Sequence, residues 1–115
     1  MAAPIVQFEI GCRDRKKIGA FYAEVLGWGI GGGANEYADA IENAGLAGHI
    51  VALGHEPHNY VMVYGEVEDI DATCDQVEKS GGARHIGPLP IPGGRRFAWI
   101  KDPEGALFGL IDKKG

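Results

Sequence analysis

The sequence predicts an α+β fold in which one supersecondary unit, a strand followed by a helix and three more strands, occurs twice. Short segments alternate between polar and apolar residues, two longer segments show helical spacing, and this order returns after about 55 residues. The 115 residues, 45% of them apolar, suit one domain with a single core. We therefore expect one domain over 1–115, with modules at about 4–54 and 59–113.

The first module opens with a strand and a helix. Residues 5–10 alternate in polarity, which places Gln7 and Glu9 on one face of the strand. Asp14 is a good helix cap, and Gly27 suits the end of a helix. Between them, apolar residues form one stripe at i, i+3, i+4, i+7 and i+8: Ile18, Phe21, Tyr22, Val25 and Leu26.

The rest of the first module is glycine-rich. Residues 28–48 predict loops with one weak strand at 37–41, because glycine favours turns over regular strands. A clearer strand follows at 49–53, with His49 on it. In the loop that follows, Pro57 separates His55 from His58, so these two histidines are interpreted as a solvated pair rather than a helical chelate.

The second module repeats this order. A helix is predicted from the spacing of Ile70, Cys74 and Val77, and Gly81 with Gly82 ends it. Its strands are predicted at 60–67, 84–89, 95–100 and 106–111. The tetrapeptide 102–105, Asp-Pro-Glu-Gly, suits a type I turn between the last two strands.

Charge, hydropathy and cysteine content limit the partner classes, the cellular location and the state of the cysteines. A net charge of -5 and a pI near 5.3 argue against binding to nucleic acid or to an anionic membrane surface. The sequence carries no apolar stretch of the ~20 residues that a membrane span needs, so a cytoplasmic location is expected. Cys12 and Cys74 are predicted to be buried free thiols.

Several motifs carry a resemblance to a known family. They are Gln7-x-x-Ile10-x-Cys12-x-Asp14, Phe21-Tyr22, Leu26-Gly27, Val67-Glu68-Asp69-Ile70-Asp71-Ala72, Gly81-Gly82, residues 91–98 and Asp102-Pro103-x-Gly105. With these motifs the chain resembles the vicinal oxygen chelate superfamily of glyoxalases, bleomycin resistance proteins and extradiol dioxygenases, and in particular its single-domain bacterial glyoxalase-like members. The resemblance implies two βαβββ modules that form a curled mixed sheet around a pocket, and it implies a homodimer.

The resemblance also implies up to four metal ligands, usually His, Gln or Glu. Gln7 falls on the first ligand position, and Met62 falls on the matching position of the second module. Gly109, four residues after the turn glycine, stands where the family has Glu, and the remaining position falls at 51–52, with His49 as the nearest donor. A thioether and a glycine do not hold a hard or borderline cation, so no metal cofactor is predicted. An atypical Zn, Ni, Mn or Fe site at Gln7, Glu9 and His49 is the alternative.

The predicted binding residues combine polar anchors with apolar walls: Gln7, Glu9, His49, Tyr60, Met62, Tyr64, Phe97 and Trp99. For the apolar members, simple filling of the core is the competing interpretation. Glu9 on a pocket face suits a general base, whereas a bond to Arg95, Arg96 or the backbone is its structural alternative.

We therefore expect a metal-independent protein that binds a small aromatic or antibiotic-like molecule. The first alternative is a lyase, isomerase or dioxygenase-like enzyme that uses Glu9 as its base, with or without an atypical or residual metal site. A module that binds no small molecule is the second alternative, and it predicts that side chains fill the pocket.

Overall fold

A computed structural model describes residues 2–35, 37–54 and 56–113, with the backbone alone described for 32–35; His55 lies outside these ranges. The elements in chain order are β1 (Ile5–Gly11), α1 (Arg15–Leu26), β2 (Gly29–Asn35), β3 (Ala38–Glu42), β4 (Ala47–Val51), β5 (Tyr60–Val67), α2 (Ile70–Lys79), β6 (Ala83–Pro90), β7 (Arg96–Lys101) and β8 (Leu107–Asp112). The order βαβββ thus occurs twice, and the predicted α+β fold class is confirmed.

The chain folds into two compact units. The N-terminal unit comprises Gln7–Met62, and the C-terminal unit comprises Val63–Gly115 together with Met1–Val6. Strands follow the order β2-β3-β4-β1 in the first unit and β5-β8-β7-β6 in the second. In each unit one pair is parallel, β1 with β4 and β5 with β8, while the other pairs are antiparallel. The strand pairing within each unit is therefore mixed, as expected.

Both helices begin in the same way. Asp14 accepts a hydrogen bond from the backbone N–H of Lys17 at 3.1 Å, and Asp69 accepts one from Ala72 at 3.0 Å. Each aspartate satisfies an amide that has no partner inside the helix. Helix α1 ends at Gly27, whose φ of 73° lies in the left-handed region, as its sequence position predicts. Neither helix in the described part of the chain is long and apolar enough to cross a membrane.

The apolar stripe of α1 is buried only in part, which corrects the simple interpretation of its spacing. Ile18 and Tyr22 pack against the core cluster of the N-terminal unit. Phe21, Val25 and Leu26 remain more than half exposed. The stripe is wider than the helix surface that the sheet covers, so its outer side stays in contact with solvent.

The prediction of loops for the glycine-rich segment was wrong. Residues Gly29–Asn35 form β2, which pairs with β3 through an irregular antiparallel register. A Cβ at Gly31 would lie 2.9 Å from the Glu42 carboxylate, so glycine lets the Glu42 side chain approach the strand. A strand built mostly from glycine shows no alternation of side chains, and sequence pattern therefore cannot reveal it.

Two further local predictions are confirmed, the free cysteines and the turn at 102–105. Cys12 and Cys74 are buried free thiols. At the last turn, the Gly105 N–H donates to the Asp102 carbonyl at 2.8 Å, and the Asp102 side chain accepts from two further amides.

Candidate functional site

The strand register in the N-terminal unit assembles the three predicted polar anchors on one face. Glu9 on β1 is the direct partner of His49 on β4, and Gln7 is the partner of Ala47. Residues paired across neighbouring strands point to the same side of a sheet, and residues two apart on one strand do the same. Gln7, Glu9 and His49 therefore share the surface that we call the polar face.

The opposite face of the same strands forms the hydrophobic core. Ile10 and Ile50 are buried there with Phe8 packed beside them, and Ile18 and Tyr22 of α1 cover them. Because side chains alternate along β1, its apolar side chains face the helix and its polar side chains face the opposite side. Helix α1 covers the core face of these strands, and the polar face is therefore not needed for packing against α1.

Glu9 is the only charged residue that is buried among those described, with 8% of its surface exposed. Its carboxylate accepts a hydrogen bond from the Tyr60 hydroxyl, with an O–O distance of 2.5 Å. A bond this short is typical of a charge-assisted O–H donor to a carboxylate. The Tyr60 ring lies directly over Gly11, two residues beyond Glu9 on β1.

His49 is half-buried between β1 and β3, where its other strand partner is Ala40. Burial lowers the pKa of His49 below its ordinary value of 6.5. The imidazole is therefore neutral at pH 7, with one nitrogen as donor and the other as acceptor. A neutral imidazole beside a carboxylate can orient a ligand or transfer a proton.

A cavity of about 370 Å³ lies beside Tyr60 in the N-terminal unit. Its lining residues are Ile10, Gly11, Ile18, Phe21, Tyr22, Asn59, Tyr60 and Val61. This volume is within the range of small-molecule pockets, and the lining is mainly apolar. Gln7, Glu9 and His49 do not line it, so Tyr60 is the residue that borders both the cavity and Glu9.

Of the remaining candidate binding residues, the three aromatic ones lie in the C-terminal unit. Tyr64 and Trp99 are buried, and the Trp99 Nε1–H donates to the Tyr64 hydroxyl at 2.8 Å. Gly109 is the strand partner of both residues, and a Cβ at Gly109 would overlap the Tyr64 ring. Phe97 is half-buried on β7. In the N-terminal unit, Met62 is buried with 4% exposure.

Two residues that sequence analysis did not single out are in contact with candidate binding residues. Gly11 lies under the Tyr60 ring, and the exposed His85 stacks on Trp99 with ring centroids 6.2 Å apart. Both contacts join distant parts of the chain, so no local pattern reveals them.

The donor set does not fit the metal that the family resemblance implies. Gln7 offers a competent oxygen, but Met62 offers a buried thioether, and the Tyr64 ring lies over the backbone of Gly109 where a carboxylate would begin. Among the described residues, no group of three or more His, Cys, Asp and Glu side chains is arranged to hold a metal ion.

The two arginines considered as partners of Glu9 have acidic neighbours in the C-terminal unit. Arg95 contacts Glu66 at 3.0 Å, and Arg96 contacts Asp71 at 2.8 Å and Asp112 at 3.4 Å. Arg95, just before β7, is thereby joined to β5, and Arg96 on β7 is joined to α2 and β8.

A comparison with protein-family models establishes the superfamily to which this chain belongs. The model of the Glyoxalase/Bleomycin resistance protein/Dioxygenase superfamily matches residues 5–110. The chain belongs to this superfamily. The resemblance predicted from the motifs is thereby confirmed.

Each curated relative described below is matched over only part of its own length. The chain is 28% identical over 125 residues to the anthracycline biosynthesis protein DnrV of Streptomyces peucetius, a match over 92% of this chain and 46% of that protein. It is 43% identical over 49 residues to a probable lactoylglutathione lyase of Vibrio cholerae, over 42% of this chain and 36% of that protein. A match to the putative glyoxylase CFP32 of Mycobacterium tuberculosis is 40% identical over 53 residues, 46% of this chain and 20% of the relative. The chain thus spans less than half the length of these relatives.

Solved structures share the fold of this superfamily member. The hypothetical protein BH1468 of Bacillus halodurans superimposes with a TM-score of 0.72 at 16% identity, covering 100% of this chain and 97% of the other. A superfamily member of Vibrio splendidus gives 0.66 at 17% identity, with 96% and 99% covered. A methylmalonyl-CoA epimerase in complex with methylmalonyl-CoA gives 0.65 at 17% identity, with 100% and 97% covered. At this identity the similarity establishes the glyoxalase-like fold alone.

Proposed function

We propose that this protein binds a small aromatic or antibiotic-like molecule without a metal, with Gln7, Glu9 and His49 as polar anchors. The observation that carries this proposal is the strand register, which puts these three side chains on the face of the sheet that does not pack on α1. A carboxylate, an amide and a neutral imidazole together provide directional hydrogen bonds to an uncharged or cationic ligand.

The nature of the ligand is supported by two further observations. The aromatic ring of Tyr60 adjoins Glu9, so an aromatic surface and a charged acceptor occur together. One relative matched over most of this chain, DnrV, is named for anthracycline biosynthesis, and anthracyclines are polycyclic aromatic compounds. An aromatic ligand with a hydroxyl or amino group suits both features. Tyr64, Phe97 and Trp99 are proposed as further binding residues in the C-terminal unit, and Met62 in the N-terminal unit.

Isothermal titration of aromatic polycyclic compounds into chelator-treated protein tests the proposal. We expect Glu9→Gln to weaken binding at least about tenfold, because a charge-assisted hydrogen bond contributes more than 1.4 kcal/mol. Glu42→Gln removes the same charge from an exposed position on β3 and serves as the matched control. Equal affinities for the wild type and Glu9→Gln would contradict the assigned anchor.

A second candidate function is a lyase or isomerase with Glu9 as general base. The Glu9–Tyr60 hydrogen bond and the neutral His49 on the partner strand favour it, since a carboxylate, a phenol and an imidazole can exchange protons with a substrate. Turnover that Glu9→Gln abolishes while ligand affinity persists would select the enzyme over the binding protein. A ligand recovered unchanged after long incubation would select the binding protein.

We also propose a single domain over 1–115 that works as a cytoplasmic homodimer. The exposed apolar side chains Phe21, Val25 and Leu26 on α1 support pairing, because such surface is unfavourable in water. Light scattering should give twice the mass of the chain at micromolar concentration. A monomer mass at all concentrations would exclude the dimer.

A further inference from the structure

Gly11 and Tyr60 are in close contact beside the Glu9 carboxylate. Gly11 is buried on β1, two residues from Glu9 and on the same side of the strand. A Cβ at Gly11 would overlap three ring carbons of Tyr60, namely Cδ1, Cε1 and Cζ. The ring therefore lies against the backbone of β1, in space that the Cβ of any other amino acid would occupy.

This position of the ring is what brings the hydroxyl to Glu9. Cζ carries the hydroxyl, and it is one of the atoms that a Cβ at residue 11 would displace. Ring and hydroxyl are rigidly joined, so a ring pushed away from β1 takes its hydroxyl away from the Glu9 carboxylate. The φ of Gly11 is not in the left-handed region, so an alanine there meets the ring and not a backbone restriction.

The C-terminal unit contains an independent example of the same arrangement. Gly109 lies beneath the Tyr64 ring, and the Tyr64 hydroxyl accepts a hydrogen bond from Trp99. In both units, a strand glycine makes room for a tyrosine ring whose hydroxyl has a defined hydrogen-bond partner. The glycine is therefore tied to the position of a polar group and not only to close packing.

We propose that Gly11 is a positioning residue, which sets the Tyr60 hydroxyl on the Glu9 carboxylate by leaving space for the ring. The inference rests on the proposed function for its importance to ligand binding, because Glu9 is an anchor of that site. The geometric part concerns the free protein. It can therefore be tested without a ligand.

The test reads the Tyr60 hydrogen bond by NMR. The chain has 4 tyrosines, so in protein labelled with ¹³C at tyrosine Cζ the Tyr60 signal is assigned by its loss in Tyr60→Phe. We expect Gly11→Ala to move this signal in the same direction as Glu9→Gln does, since both changes remove the bond to the carboxylate. An unchanged Tyr60 signal in folded Gly11→Ala would overturn the proposal.

Gly48→Ala is the matched control. Gly48 is a buried strand glycine in the same unit, and its Cβ would overlap the ring of its partner Phe8 on the core face. This substitution should destabilise the unit to a similar degree while the Tyr60 signal stays in place. If Gly48→Ala moved the Tyr60 signal as far as Gly11→Ala, the effect would be general loosening and the proposal would fail.

A double variant keeps the test decisive if Gly11→Ala does not fold. Gly11→Ala combined with Tyr60→Ala should fold with the melting temperature of Tyr60→Ala alone, because the ring that clashes is gone. A large further loss of stability in the double variant would contradict the argument. Ligand affinity is then a separate readout: if the Tyr60 signal moves in Gly11→Ala while Glu9→Gln leaves affinity unchanged, positioning holds and the proposed anchor role of Glu9 fails.

Discussion

At the scale of single residues, His49 connects the candidate site to stability. Because burial lowers its pKa, the unfolded chain binds a proton at His49 more readily than the folded chain does. The free energy of unfolding therefore falls as pH decreases from about 6.5 toward the lower pKa of the folded state, and it is recovered above that range. Glu9 on β1 is the titratable residue directly across from His49, and Ala40 on β3 carries no charge.

We predict that His49→Gln reduces this part of the pH dependence. Urea denaturation of the wild type and the variant between pH 5 and 7.5 measures it, and the two curves of unfolding free energy should converge at the acidic end. His85→Gln, which removes an exposed histidine from the other unit, is the control and should retain the wild-type slope. A wild-type slope in His49→Gln would show that another group carries the pH dependence.

Gly109 gives the second prediction at this scale. Gly109→Glu restores the carboxylate that the family resemblance places there, but the Tyr64 ring fills the space. We expect a loss of about 1–3 kcal/mol in unfolding free energy from overpacking, and no gain in melting temperature on adding zinc. Gly109→Ala should show a similar loss, as a control for the first added carbon. Zinc-dependent stabilisation of Gly109→Glu would contradict the assignment of this position to packing.

Alternation of polarity at residues 5–10 was sufficient to place Gln7 and Glu9 together, and the structure agrees. The bond from Tyr60 to Glu9 could not be predicted, because it joins residues 51 positions apart in the sequence. Strand register and the space over Gly11 decide that contact, and both depend on the packed sheet. Local pattern thus predicts the face of a side chain but not its partner.

At the scale of elements, the start of α1 was the most predictable feature. Asp14 caps α1 through its side chain, as its position predicts, and this capping depends on a neighbour three residues away. The strand β2 was missed for the opposite reason: its glycines have no side chains to alternate, and only pairing with β3 makes the segment extended. The burial of α1 was predicted in part, because sequence gives the stripe but not the width of the sheet beneath it.

We predict that Asp69→Ala lowers the unfolding free energy by about 1 kcal/mol, because the Ala72 amide loses its partner. Asp69→Asn keeps an acceptor oxygen and should cost only a small part of that. Chemical denaturation of both variants measures the difference. Equal losses in the two variants would indicate that charge, not capping, determines the contribution of Asp69.

At the scale of the whole molecule, the family resemblance implies a metal site, whereas the side chains present do not fit one. The superfamily model covers nearly all of the chain, but Met62 and Gly109 stand at two positions that the resemblance predicts to be metal ligands. Fold is therefore shared while metal chemistry is not supported by the residues present. What remains is the polar face with Gln7, Glu9 and His49, on strands whose other side forms the core.

Binding of a small molecule at the polar face without a metal can be measured by NMR. Amide chemical-shift changes are mapped while an aromatic polycyclic compound is added to chelator-treated protein. We expect saturable changes centred on Gln7, Glu9 and His49, and no change in affinity when zinc, nickel, manganese or ferrous iron is added. Binding that appears only after a divalent metal is restored, or changes that leave these three residues untouched, would contradict this expectation.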